Sequence, residues 1–299
     1  MRPLRALGIY IAVVFVGGAL LAPWLYWLAQ SFAEEFPKIA GSPFHRFVNR
    51  SLLIFALAGL WPLFRALGAA SSRDVGLARP SGQWSKFGGG FALGFLSLAV
   101  VALLALSSGA RQVNESLTPA QLGQKLLGAA GTAVVVAVLE EILFRGALFG
   151  ALRKIFNWVF ALVLSSMVYA IAHFLESAQT TGAVTWLSGL ELLPRMLRGF
   201  ANWHEVIPGF FNLTLAGILL GLAYQRTGNL YCSIGLHAGW IFWLKSYGFL
   251  TRGVPGANAW WWGTGRLALV SGWLALPVLV ATLLVFMRWP AAKKKELVI

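Results

Sequence analysis

Of 299 residues, 58% are hydrophobic and 11% charged, with a mean hydropathy of +0.72; soluble domains carry about 25% charged residues, so an ordinary soluble globule is excluded and an all-α, polytopic membrane protein is expected. The formal net charge of +14 does not mark a nucleic-acid binder, because the basic residues are scattered over short connections and tails and form no stripe. Cys232 is the one cysteine, so an internal disulfide is excluded as well.

About 20 apolar residues cross a hydrocarbon core of about 30 Å, and eight stretches qualify, near 7–29, 51–69, 88–107, 126–150, 157–174, 207–225, 231–250 and 267–287. The opening MRPLR resembles a signal n-region, but the apolar run behind it is long enough to remain as an anchor. In the third span Gly90 and Gly94, and in the sixth Gly217 and Gly221, stand four apart and let helices approach closely. Neither pair follows a strand, which removes a phosphate-loop reading. The 174–206 connection has room for a short interfacial helix. Cys232, at an apolar helix start, reads as a packed small hydrophobe. The AWWWG run at 259–263 and Trp289 beside Arg288 read as interface anchors. Eight spans put both termini on one side. Twelve basic residues then lie with the termini, among them Lys293, Lys294 and Lys295, against ten on the opposite side. The expectation is a cytoplasmic location for both ends, in a bacterial inner membrane.

The run 133–150, AVVVAVLEEILFRGALFG, places three charges in a span, where each costs about 2.5 to 3.5 kcal/mol on insertion scales and is usually kept for a task. Of the ten acidic residues only Glu140 and Glu141 lie well inside a span, and of the four histidines only His173 and His237 do. At about 100° per residue, Glu141 and Arg145 share a face with the acid on the N-terminal side, the favourable order for an ion pair. Glu140 points to another face and has no basic residue three or four positions away. One acid is thus structural and the other available for chemistry: burial penalises the charged form of a lone carboxylate, and a neighbouring imidazole can share its proton.

These residues resemble a known family. EEILFR matches the EExxxR motif of the CPBP intramembrane proteases, which include CAAX-type prenyl-protein endopeptidases and bacteriocin-processing or immunity proteins. Tyr169-Ala-Ile-Ala-His173 resembles its FxxxH motif with tyrosine for phenylalanine, and LAGILLGLAYQRTGNLYCSIGLHAGW, ending near His237, resembles the third-motif region. The resemblance, over about 126 to 245, divides one integral membrane domain into N-terminal helices 1–125, a protease-like core 126–250, and a last helix with a basic tail 251–299. It implies that Glu140, helped by His173, activates a water for attack on a peptide bond of a membrane-associated CAAX-like or leader-type substrate. His237 would stabilise the oxyanion or, in a metal-dependent version, join Glu140 and His173 around a divalent ion such as zinc; a metal-free glutamate mechanism is equally implied. Glu141 and Arg145 would hold the helix. The family pattern continues HxxxN or HxxxD, yet the fourth residue after His237 is Ile241. Asn212, Thr214 or Tyr169 would have to supply the missing donor; otherwise the protein is a slow or inactive relative.

Other protease designs fit less well. His204-Glu205 is followed by no second histidine at HExxH spacing, Asp74 is the one aspartate, and Ser165, Ser166 and Ser233 lack a Gly-x-Ser-x-Gly setting. Two other classes stay open: a proton-coupled transporter, which also keeps Glu, Arg and His at mid-membrane but shows here no repeated half, and a noncatalytic, immunity-type membrane protein.

Overall fold

The computed structural model describes residues 2–69, 71–77, 79–176, 179–180 and 182–288. It is 75% helical. The expected anchor Trp289 and the tail lysines Lys293, Lys294 and Lys295 lie outside the described residues.

In chain order the main helices are α1 (Pro3–Ser31), α2 (Phe44–Ala66), α3 (Trp84–Ser107), α4 (Pro119–Leu152), α5 (Trp158–Ala172), α6 (Ser188–Arg195), α7 (Trp203–Thr227), α8 (Tyr231–Leu250) and α9 (Ala275–Met287). Two short strands, β1 (Arg111–Val113) and β2 (Thr251–Gly253), pair antiparallel with Gln112 opposite Arg252. All eight expected spans fall on helices, and α6 occupies the connection where a short helix had room. Among the described residues five helices, α1 to α4 and α7, are long and apolar enough to cross a membrane. Helices α5 and α9 are apolar but shorter. The eighth span is narrower than expected, because 263–274 turns twice at Gly263 and Gly265, both with positive φ, before a regular helix begins at Ala275. Helix α8 mixes glycine, serine, histidine and lysine into its apolar residues, and every residue from Cys232 to Ile241 is buried. That half of the helix meets protein on all sides, while Lys245 and Gly248 farther along are exposed.

Local chemistry sets the ends. Thr118 accepts the Gln121 backbone N–H while the Gln121 side chain returns to the Thr118 N–H, and Pro119 opens α4 at a position that needs no donor. Between α7 and α8, Gly228 takes positive φ, and the Asn229 side chain accepts the Tyr231 N–H. This tight reversal places His237 two turns into α8.

The chain packs as two compact units, and the boundaries expected at 125/126 and 250/251 both fall within the second. The first unit comprises the described residues of 1–70 and 172–202. Its core gathers Ala22, Phe44, Phe47, Val48 and Leu192. The second comprises those of 71–171 and 203–299, around Ala133, Ala137, Phe149, Leu162, Tyr224, Ile234 and Ile241, among others. Here α3 and α8 pack glycine on glycine. A Cβ at Gly90 would fall on the Cys232 carbonyl and one at Gly94 on that of Leu236, while Gly235 and Gly239 lie as close to the backbone of Phe87 and of Phe91 to Phe95. No side chain separates the two helices there, and the Trp240 indole N–H donates to Ser97 Oγ at 2.8 Å.

Candidate active site

The second unit brings Glu140, Glu141, Arg145, Tyr169 and His237 together from α4, α5 and α8. Arg145 Nη1 donates to Glu141 Oε1 at 2.9 Å, the pair expected from their spacing, and Nη2 donates to the Gly217 carbonyl at 3.3 Å. Gly217, expected only as a packing residue, also lets α7 close on Ser166 of α5, since a Cβ there would meet the Ser166 backbone. Glu141 has a second partner that the sequence did not disclose: the same Oε1 lies 2.8 Å from His237 Nδ1. The other ring nitrogen, Nε2, is 3.2 Å from the Tyr169 hydroxyl and 3.7 Å from Glu140 Oε2. The Arg145 guanidinium stands 4.6 Å over the Tyr169 ring centroid, so one cation neutralises Glu141 and packs on the phenol.

Exposure separates the two acids. The Glu141 side chain is 0% exposed and that of Glu140 29%, so Glu140 is the more exposed acid, with its Oε2 buried beside His237. The backbone departs from the regular helix at this point. Ile142–Phe149 is π-helical, an uncommon form frequent at functional sites, and α1 contains a second such turn at Val13–Gly17. Gly146 in this stretch lies against the Val75 carbonyl.

The remaining expected residues have other settings. His173, expected inside an apolar helix, lies in the turn one residue past the end of α5, half-buried, and belongs to the first unit. The chain leaves the helix there because Phe174 packs on Phe200, and the Glu176 N–H donates to the Met196 carbonyl. Asn212 spends both amide protons on backbone, donating to the carbonyls of Val270 at 2.9 Å and Gly272 at 2.8 Å. Those carbonyls belong to the non-helical stretch before α9 and need a donor when water is absent. Ile241 is buried in the apolar core of its unit. Ser165 and Ser166 donate to Leu162 O, and Ser233 to Leu230 O, so each serine hydroxyl is committed to the preceding turn of its own helix.

Among the described residues no three His, Cys, Asp or Glu side chains gather as metal ligands. Both ring nitrogens of His237 already face hydrogen-bond partners.

Two features escaped the sequence. Gly235 and Gly239 have the same four-residue spacing as the glycine pairs noted above, so their packing role was readable in principle. The contact between Glu141 and His237 joins residues 96 positions apart, and no local pattern encodes it.

Residues 122–243 match the family model Rce1-like, described as type II CAAX prenyl endopeptidase Rce1-like. This part of the chain is similar to that family. The matched segment contains Glu140, Glu141, Arg145, Tyr169, His173, Asn212, His237 and Ile241, and the match agrees with the resemblance to CPBP proteases and supports intramembrane endopeptidase activity in general. Searches of curated proteins and of solved structures returned no match.

Proposed function

We propose that the protein is a glutamate-based intramembrane endopeptidase acting on a membrane-associated peptide or protein, either a CAAX-like tail or a leader or bacteriocin-type segment. The observation that carries the reading is the part-exposed Glu140 side chain, whose buried Oε2 lies 3.7 Å from Nε2 of the buried His237 ring, in a segment that matches a protease family. Glu140 takes a proton from a water whose oxygen bonds to the scissile carbonyl carbon. When the tetrahedral carbon collapses, the C–N bond breaks and the amine leaves with that proton. Glu141 and Arg145 orient His237. His173 enters the reading through the order of the motifs alone. No step is routed through a metal, and elemental analysis with chelator titration of the purified protein checks that choice.

The test is cleavage of a fluorogenic, lipid-anchored peptide by the full chain in detergent. Glu140→Gln keeps the shape and removes the base, and a general base contributes typically about 10²- to 10⁴-fold, so turnover should fall by at least the lower figure; equal turnover would overturn the proposal. The buried Ile241, with no polar atom one turn beyond His237, favours the noncatalytic alternative as second reading. That alternative requires wild-type protein to leave every such peptide intact. Comparing cleaved products in cells carrying wild type or Glu140→Gln identifies the substrate class, and labelling of single-cysteine variants at Arg5 and Arg288 tests the cytoplasmic placement of both ends.

A further inference from the structure

We infer that Tyr169 is a positioning residue which, together with Glu141, clamps the His237 ring in one tautomer; only the kinetic consequence rests on the glutamate-based reading above. Glu141 Oε1 already accepts from Arg145 at 2.9 Å and stands 2.8 Å from Nδ1. A carboxylate held by an arginine acts as acceptor, so Nδ1 carries the proton and donates. Nε2 is then left with its lone pair, and the group facing it at 3.2 Å is the Tyr169 hydroxyl, which donates.

The phenol is held as firmly as the acid. Tyr169 is 3% exposed, the Phe144 ring meets it edge-on at 5.1 Å, and Arg145 covers its face. Arg145 thus fixes both arms of the clamp, the carboxylate on one ring nitrogen and the hydroxyl on the other. Phenylalanine at 169 would fill the same space and leave Nε2 without this donor.

The tautomer matters because Glu140 Oε2 is 3.7 Å from that same Nε2. A ring protonated at Nε2 in place of Nδ1 would present an N–H to Glu140 and tie up the carboxylate as a hydrogen-bond acceptor. With the proton held at Nδ1, Nε2 offers no hydrogen to Glu140. The clamp keeps the His237 ring from taking up that carboxylate as an acceptor.

The experiment uses the full chain in detergent micelles with ¹⁵N-labelled histidine, the His237 signals being identified by their loss in His237→Gln. Wild type should show a protonated Nδ1 and an unprotonated Nε2, and Tyr169→Phe should shift Nε2 toward the value of an unbonded ring nitrogen. In the peptide assay Tyr169→Phe should lower kcat about tenfold, the size of one well-made hydrogen bond, with KM unchanged. A wild-type ring protonated at Nε2, or an Nε2 signal unmoved in Tyr169→Phe, overturns the clamp whatever the activity. If Glu140→Gln is inactive while Tyr169→Phe keeps full kcat, the clamp has no part in the reaction and this inference falls. If Glu140→Gln stays active, the glutamate mechanism falls and the ring-nitrogen shifts alone decide the clamp.

Discussion

The helix pair α1 and α2 of the first unit and the pair α3 and α8 of the second make close contacts by different means. In the first pair Gly18 lies against the Leu52 backbone, but Gly17 and Gly59 face the rings of Phe55 and Tyr10, side chains that can shift. The Tyr10 hydroxyl reaches across to the Ala56 carbonyl at 2.9 Å, and Tyr26 meets Phe44 and Phe47 edge-on. Among the described residues of that unit no acidic, basic or histidine side chain is buried. In the second pair glycines on both helices bring backbone against backbone, and the same unit buries Glu141, Arg145 and His237. His237 sits midway between Gly235 and Gly239, so the contact that sets the depth and rotation of α8 also aims the imidazole. The adjustable contacts belong to the α1–α2 pair and not to its whole unit, since a Cβ at Gly189 would fall on the Ala19 carbonyl; the pair that carries the charged network has contacts without slack.

The largest way to break the contrast is Arg145→Met. It leaves Glu141 as an uncompensated buried charge, for which losses of about 3 to 5 kcal/mol are typical, and reversible detergent-to-denaturant unfolding should show a loss of that order. Asn212→Leu should cost about 1 to 3 kcal/mol by orphaning the carbonyls of Val270 and Gly272, with faster hydrogen exchange confined to 263–274. Gly94→Ala against Gly59→Ala sharpens the comparison directly. The first forces a methyl onto a carbonyl of α8 and should cost about 1 to 3 kcal/mol. The second meets only the Tyr10 ring, and helix propensity returns part of any loss, so it should stay below about 1 kcal/mol. Equal effects would show that backbone proximity does not distinguish the two pairs. The smallest effect is expected from Ser51→Ala, because Ser51 Oγ only back-bonds to Phe47 O in its own helix; the change should be about 0.5 kcal/mol or less.

Much of the helix layout was legible because a run of about 20 apolar residues has few alternatives in lipid. The broken start of the last span was not legible. Residues 267–274 are apolar enough to be helical, and the glycine turns at 263 and 265 with the Asn212 amide from another helix decide otherwise. His173 reads as the end of an apolar run, yet the contacts of Phe174 and Glu176 end the helix before it.

The sequence by itself determined an all-α membrane protein, the ion pair between Glu141 and Arg145, and the short set of polar residues from which a site had to be built, because hydropathy and helical spacing are local properties of the chain. Only the tertiary structure decided that Glu141 holds His237, that Tyr169 faces the other ring nitrogen, and that Glu140 is the more exposed acid. Those facts depend on how tightly α3 and α8 close and on how α4, α5 and α8 are rotated. Rotation is set by packing between residues far apart in the chain, where no periodicity records it.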